Sequence, residues 1–158
     1  MKQLLKLLEK DAKLTPAELA LMCEKEEGDI KKMIEDFEAK GVILGYTTVI
    51  DWDKTDTEYV NALIELKVTP RVGSGYDEIA ERIYSYPEVE SVYLMSGGYD
   101  LTVMLRGKTM REVAIFVASK LATIEAVTST ATHFVLRKYK DHNVIFGGAP
   151  VDERGNIL

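Results

Sequence analysis

Two glycines and an aspartate lie close together in the second half of the sequence, at Gly97, Gly98 and Asp100. Because glycine has no side chain, backbone N–H groups at these positions can approach a carboxylate closely. Asp100 can accept hydrogen bonds from an ammonium group. An ordinary hairpin turn with a solvated aspartate has the same pattern, and the spacing by itself favours that simpler interpretation.

A threonine-rich segment near residue 130 is the second candidate for polar contacts. Thr128, Thr130 and Thr132 alternate with other residues, and alternating residues of a β-strand share one face. Three hydroxyl groups are therefore predicted on one surface, where they can line the same pocket as the glycines from a neighbouring subunit. Met95 and Tyr99 lie near the glycine pair and are the neighbouring candidates.

Lysines are the candidates for binding nucleic acid, but the segment that carries them is acidic. Residues 24–40 hold four lysines against seven acids, a net charge of −3. Arginine-to-guanine contacts, the commonest specific base readout, are excluded in this segment because the first arginine of the chain is Arg71. The candidate DNA-binding residues are Thr15, Lys25, Gly28, Asp29, Lys31 and Lys32.

Composition excludes several classes of protein. The 158 residues carry 20 Lys+Arg against 26 Asp+Glu, a net charge of −6, so overall basicity gives no support for nucleic-acid binding. The single cysteine, Cys23, excludes a disulfide framework and a cysteine-based zinc site. We predict no metal, no cofactor and no catalytic residues, because the sequence has no Ser-His-Asp set, HExxH motif or phosphate-binding loop.

Membrane and export segments are not expected. No apolar run approaches the ~20 residues that span a bilayer. The first ten residues carry charges every few positions, unlike a signal peptide. One unpaired thiol fits a reducing compartment, so we expect a cytoplasmic protein without a membrane partner.

The first 50 residues have helical periodicity and predict three short helices. Thr15 and Glu18 form a capping-box pattern at the start of the second helix. The third covers about 27–40 and ends at Gly41, and a short strand hairpin is predicted over 42–50. This order is typical of a winged helix-turn-helix, whose third helix lies in the major groove of DNA. A three-helix bundle that binds nothing has the same spacing.

The remaining sequence predicts a second domain of the α+β class. We interpret the acidic stretch 51–58 as a linker, 59–140 as the domain, and 141–158 as a tail without a predicted function. A turn is expected at 70–75 and a tight turn at the glycine pair. Strands are predicted at 60–69, 89–95, 100–106 and 127–136, and helices at 76–86 and 108–124. This βαββαβ order is typical of a ferredoxin-like sandwich, with helices on one sheet face and self-association covering the other.

Four short motifs occur in order along residues 1–140. Leu14-Thr15 with Glu18-Leu19-Ala20 precedes GVILGY at 41–46, GGYD at 97–100 and VTSTAT at 127–132. They resemble, in turn, the start of the second helix, the wing, a glycine turn and the last strand of the Lrp/AsnC family, also called leucine-responsive or feast/famine regulators. The chain as a whole resembles that family.

The resemblance implies a sequence-specific, DNA-binding transcriptional regulator with a winged helix-turn-helix domain at 1–50 and an amino-acid-sensing and oligomerisation domain at 59–140. It implies double-stranded DNA as a partner, and homodimers that assemble to tetramers or octamers. A small amino-acid effector is expected between dimers, near the glycine turn. The effector-binding residues expected are Met95, Gly97, Gly98, Tyr99, Asp100, Thr128, Thr130 and Thr132.

Two alternatives stay open. The acidic third helix allows a sensing or assembly module that no longer binds DNA. Siroheme decarboxylases have a similar overall plan, but this chain offers only His133 and His142 as neighbours for a tetrapyrrole. Its wing reads Leu44-Gly45-Tyr46 where theirs usually carries paired arginines, which favours a regulator.

Overall fold

The computed structural model describes residues 2–69 and 75–147. These residues divide into two compact units. One contains the described residues of 1–50 together with those from Lys140 onward, and the other contains the described residues of 51–139. Most of the predicted turn at 70–75 and most of the predicted tail lie outside the described residues.

Three helices form the first unit, as the periodicity predicts: α1 Lys2–Lys10, α2 Pro16–Cys23 and α3 Glu27–Ala39. The capping box is present, because the Thr15 Oγ1 accepts from the Glu18 N–H at 3.3 Å while the Thr15 N–H donates to Glu18 Oε2 at 2.8 Å. The helices pack around a small apolar core of Leu4, Leu19, Ala20, Ile30 and Phe37.

The predicted wing strands over 42–50 are not formed, and this part of the prediction is wrong for the single chain. After Gly41 (φ 66°), the N–H groups of Val42 and Ile43 donate to the Phe37 carbonyl at the end of α3, so they are not free for strand pairing. Leu44 is 93% exposed. A lone hairpin without an apolar face to cover is marginally stable.

The second unit has the predicted ferredoxin-like order. Its elements are β1 Val60–Val68, α4 Asp77–Tyr84, β2 Val89–Leu94, β3 Leu101–Gly107, α5 Met110–Phe116 with a π-helical turn Val117–Leu121, and β4 Val127–Phe134. The antiparallel sheet has the strand order β2-β3-β1-β4, so β2 and β4 are its edges. The predicted α+β class is confirmed.

The helices cover one face of this sheet. Ile64 pairs with Val103 on β3 and Thr132 on β4, and partners across an antiparallel ladder share a face. Ile64 and Val103 are fully buried, with Ile83 of α4 and Leu121 of the π-helical turn in the same core. No α-helix of the described part of the unit covers the opposite face.

Part of the segment interpreted as a linker packs on the second unit. Trp52–Lys54 forms a 3₁₀ turn, and the Trp52 ring meets the Tyr59 ring edge-to-face at 5.1 Å. The Arg106 guanidinium lies over both rings, 5.0 Å from the Tyr59 centroid, and forms an ion pair with Glu90. These contacts fix the start of β1 against β3.

A short hairpin follows the second unit and was not predicted. Strands β5 Lys140–Asp141 and β6 Val144–Ile145 pair antiparallel. His142 (φ 45°) and Asn143 (φ 64°) form the turn, the left-handed pair that a type I′ turn requires. The sequence signal is weak because neither turn residue is glycine.

Candidate effector site and DNA-binding helices

The glycine pair lies in a six-residue loop, 95–100, between the last residue pair of β2 and β3, Leu94 and Leu101. The predicted tight turn is therefore wrong, although the Met95 N–H still donates to the Asp100 carbonyl at 2.8 Å. Gly97 and Gly98 are exposed, neither has a positive φ, and an added Cβ would meet nothing within 4 Å. The fold of the single chain needs neither residue to be glycine, which leaves room for another molecule.

Asp100 is held against the end of β1. Its Oδ2 accepts from the Val68 N–H at 2.9 Å, and its own N–H donates to the Leu66 carbonyl at 3.0 Å. The β1–β3 pairing ends at Leu66 and Leu101, so the Val68 N–H lies beyond the ladder and is satisfied by this carboxylate. Asp100 therefore has a structural role that the sequence did not reveal.

Lys67 is a further candidate for this site, and sequence reasoning missed it. Its Nζ donates to the Gly98 carbonyl at 3.1 Å and lies 3.9 Å from Asp100 Oδ1. The only sequence signal was its place in an alternating strand, which puts it on the face opposite Leu66 and Val68. The structure thus adds an ammonium group to the glycine loop.

The three threonines do not share one environment. The Thr128 Oγ1 donates to the Lys67 carbonyl at 3.1 Å, so Thr128 joins the loop end of the sheet. Thr130 and Thr132 pair with Leu66 and Ile64 and lie on the helix-covered face, half-buried. The register shift at the end of β1 lies between Thr128 and Thr130, so only Thr130 and Thr132 are in register with core residues of β1. That these threonines contact an effector stays a prediction.

A cavity of the second unit lies away from the glycine loop. It has a volume of about 310 Å³ and is lined by residues that include Glu88, Gly107, Val113, Phe116 and Lys120. Gly107 ends β3 and Leu101 begins it, so roughly 20 Å of strand separates this cavity from the glycine loop. The cavity and the candidate effector site are distinct.

One of the candidate DNA-binding lysines of the helix-turn-helix already forms an ion pair. The Lys31 Nζ lies 2.6 Å from Glu27 Oε1, one helical turn earlier. Lys25 and Lys32 are exposed and make no ion pair within the described part of the chain. Gly28 and Asp29 lie exposed in the first turn of α3, where Asp29 complements the helix dipole.

Thr15 acts at a helix terminus. Its hydroxyl lies 2.7 Å from Glu18 Oε2, and the hydrogen bond from the Thr15 backbone N–H lowers the pKa of the Glu18 carboxyl. The side chain of this candidate DNA-binding residue is therefore engaged in the capping box. The prediction that it contacts DNA remains untested.

The first helix carries basic residues that were not among the predicted DNA contacts. Lys2, Lys6 and Lys10 are exposed and four residues apart, so they follow one face of α1. Glu9 is the one acid in this helix. The signal is present in the spacing of the lysines, although the leucines of the other face dominate the periodicity.

The two histidines do not form a combined site. His133 Nε2 lies 3.0 Å from Glu65 Oε2 on the uncovered sheet face, and His142 Nδ1 lies 2.9 Å from Asp141 Oδ1 in the small hairpin. Within residues 2–69 and 75–147, no three His, Cys, Asp or Glu side chains are grouped to hold a metal ion. Over the same residues, every helix is too short or too polar to cross a membrane.

Comparison with known proteins identifies the family. Residues 61–145, which contain the sheet and the glycine loop, match the family described as the Lrp/AsnC ligand binding domain. The chain belongs to the Lrp/AsnC family. The resemblance carried by the four motifs is thereby confirmed.

Proteins named as transcriptional regulators match most of the length of the chain. The uncharacterized HTH-type transcriptional regulator YugG of Bacillus subtilis is 45% identical over 96% of this chain and 92% of that protein. The HTH-type transcriptional regulator FL11 of Pyrococcus horikoshii is 31% identical, over 89% of each chain. The transcriptional regulator NMB0573 of Neisseria meningitidis, solved as a complex with L-Met, has the same fold, with a TM-score of 0.71 at 19% identity over 88% of this chain and 89% of that one.

Proposed function

We propose that this chain is a sequence-specific, DNA-binding transcriptional regulator of the Lrp/AsnC type. The observation that carries the proposal is the helix-turn-helix of the first unit. A three-residue turn joins α2 to α3, and Glu24 redirects the chain there through a left-handed backbone (φ 53°). In this motif the second helix of the pair enters the major groove. The relatives YugG and FL11, both named HTH-type transcriptional regulators, support the proposal.

The charges predict how this regulator holds double-stranded DNA. The net charge of −3 over 24–40 makes one recognition helix a weak binder. Lys25 and Lys32, with the lysine row of α1 (Lys2, Lys6 and Lys10), supply the phosphate contacts. Repetition of these contacts over several subunits raises the affinity of the assembly, and binding falls steeply as salt rises.

The effector site of the proposed regulator is the loop at 95–100 and the end of β1. The Gly97 and Gly98 backbone is open to a carboxylate, and Asp100 Oδ1 accepts no hydrogen bond within the described residues. A free amino acid presents the two complementary groups, a carboxylate and an ammonium. The L-Met complex of NMB0573 supports an amino-acid effector for this fold.

Self-association belongs to the same proposal. The uncovered face of the sheet carries Thr102, which is only 9% exposed, beside the half-buried Leu63 and Met104. On the edge strand β2, Tyr93 pairs with Thr102, shares its face and is 54% exposed. Copies of the chain that pack on this surface form a homodimer, and dimers assemble further to a tetramer or octamer with the effector between them.

A second candidate function is a sensing and assembly module that has lost DNA binding. The acidic α3 favours it, as does the Lys31–Glu27 ion pair that neutralises one of the few lysines there. The proposed regulator acts in the cytoplasm, and we assign it neither a membrane partner nor a catalytic activity.

Exchange of Lys31 and Lys32 for Glu tests the regulator against the module. A regulator is expected to lose DNA binding in a mobility-shift titration, because the two exchanges place negative charges beside the phosphates. The matched control exchanges Lys108 and Lys120 of the second unit for Glu, which changes the net charge equally. Equal DNA affinity of the Lys31/Lys32 variant and the wild type would contradict the regulator.

A further inference from the structure

We infer that the effector of this chain is an amino acid with an acidic side chain, and that Lys67 is the residue that selects it. The inference rests on the proposed effector site and names the class of ligand that the site takes. It comes from three groups that meet at the loop end of the sheet: backbone N–H groups, the Asp100 carboxylate and the Lys67 ammonium.

The first group suits the α-carboxylate. Among the described residues, the N–H groups of Ser96, Gly97, Gly98 and Tyr99 donate no hydrogen bond. Because these N–H groups have no partner among the described residues, they are available to donate to an anionic group. No Cβ obstructs the approach at the two glycines, since an added one would meet nothing within 4 Å.

The second group suits the α-ammonium. Asp100 Oδ2 is occupied by the Val68 N–H at 2.9 Å. Among the described residues, the cation near Oδ1 is the Lys67 Nζ, 3.9 Å away, which is beyond hydrogen-bond distance. Oδ1 therefore has capacity for one more donor. An ammonium that binds there also lies within a few ångströms of the Lys67 ammonium, which has the same charge.

The third group decides the class of ligand. A neutral amino acid that pairs with Asp100 leaves the Lys67 Nζ beside a second positive charge, with only the Gly98 carbonyl as acceptor at 3.1 Å. A side-chain carboxylate on the ligand pairs with Lys67 and removes that repulsion. The Lys67 side chain is 49% exposed, so its ammonium is accessible to the ligand.

Position and chemistry make Lys67 the selective residue of this site. Its backbone carbonyl accepts from the Thr128 hydroxyl at 3.1 Å, so the strand that carries it is fixed from both neighbours, β3 and β4. Its side chain lies on the uncovered face of the sheet, opposite the core residue Leu66. Exchange of this side chain therefore changes the charge of the site and leaves the core packing intact.

Matched pairs of free amino acids test the inference on the full-length protein. Isothermal titration compares glutamate with glutamine and aspartate with asparagine, which differ in side-chain charge at nearly constant shape. Leucine and methionine serve as neutral apolar probes. We expect an acidic member to bind at least tenfold more tightly than its amide and than either apolar probe.

Variants assign the preference to Lys67. In Lys67→Gln, the affinities for glutamate and glutamine are expected to lie within about twofold of each other. Lys67→Arg is expected to keep the preference for glutamate. The control Lys108→Gln makes an equal change of charge away from the loop and is expected to leave the preference unchanged. If the wild-type protein binds amides or apolar amino acids more tightly, the inference is overturned, but the proposed effector site is not contradicted. A preference that survives Lys67→Gln would also overturn the inference. Failure of every probe to bind would refute the inference together with the amino-acid effector.

Discussion

The carboxylate of Asp100 accepts a hydrogen bond from the backbone N–H of Val68, 2.9 Å away, at the point where β1 shifts register against β4. The residue whose type first suggested a ligand site therefore also fixes the end of a central strand. Because Val68 is 5% exposed, water does not readily replace this acceptor. Substitutions at Asp100 are thus expected to affect stability and, at the proposed effector site, binding.

Asp100→Ala is expected to lower the free energy of unfolding by about 1–3 kcal/mol, the cost of leaving a buried donor unsatisfied. Asp100→Asn keeps an acceptor for the Val68 N–H and should retain most of the stability while losing the charge that an ammonium requires. Chemical denaturation measures the first effect and effector titration the second. Equal stability of the alanine variant and the wild type would show that the hydrogen bond to Val68 contributes nothing.

Exchange for alanine is expected to change stability at one glycine of the second unit and not at another. At Gly107 a Cβ would lie 2.9 Å from Val113 Cγ2, so Gly107→Ala is expected to destabilise the fold by about 1–3 kcal/mol. At Gly98 the space is open, so Gly98→Ala should leave the thermal unfolding midpoint near that of the wild type and weaken effector binding or assembly. Thermal melts measure the stability of both variants, and light scattering measures their assembly. The account of Gly98 fails if its alanine variant melts early yet binds and assembles normally.

The capping box at α2 predicts a pH-dependent contribution to stability. The Thr15 N–H lowers the folded-state pKa of Glu18, so the contribution is present above the unfolded-state pKa and disappears as the pH falls through the folded-state value. The difference in melting temperature between wild type and Glu18→Gln should therefore be larger at about pH 7 than at about pH 3. Thr15→Ala should cost about 1 kcal/mol. A difference that does not change with pH would show that the ionised cap is unimportant.

Two neighbouring lysines of α3 should differ in the salt dependence of DNA binding. Lys32 has no ion-pair partner among the described residues, so Lys32→Gln is expected to lower the slope of log affinity against log salt by roughly 0.9, one phosphate contact. Lys31 is paired with Glu27 at 2.6 Å, so Lys31→Gln should change the slope less. Both variants carry the same net charge. Equal slopes for the two would contradict this assignment of phosphate contacts.

The lysine row of α1 is expected to add phosphate contacts that α3 lacks. Exchange of Lys2, Lys6 and Lys10 for Gln should lower the salt slope by roughly 0.9 for each lysine that neutralises a phosphate. The control exchanges Lys54, Lys108 and Lys120 of the second unit for Gln, with the same change of charge. If both triple variants bind DNA alike, only net charge matters, and the first helix has no specific role.

Local signals predicted most of the fold. The Thr15–Glu18 pattern placed the start of α2, and alternation over 60–69 placed β1, because capping and two-residue periodicity are properties of neighbouring residues. The prediction of the wing strands failed for a reason that is also local. The residues after Gly41 cap α3 through the Phe37 carbonyl, and hydropathy does not reveal that competition.

The site was predicted only in part, because its geometry depends on register. Gly98 and Asp100 were found from their types, but the contact of Lys67 with them arises from strand pairing across 31 residues. The register shift that separates Thr128 from Thr130 has no signature in the threonine spacing. Residue types thus located the loop, and the structure was needed to place the Lys67 ammonium beside it.

Selection of bound fragments from the source genome, followed by a salt titration of the best fragment, tests the central claim most directly. The account predicts enrichment of one or a few sites by the oligomeric wild type, with affinity that falls steeply as salt rises. No enrichment by a folded, oligomeric protein would contradict the regulator and favour a sensing and assembly module that does not bind DNA.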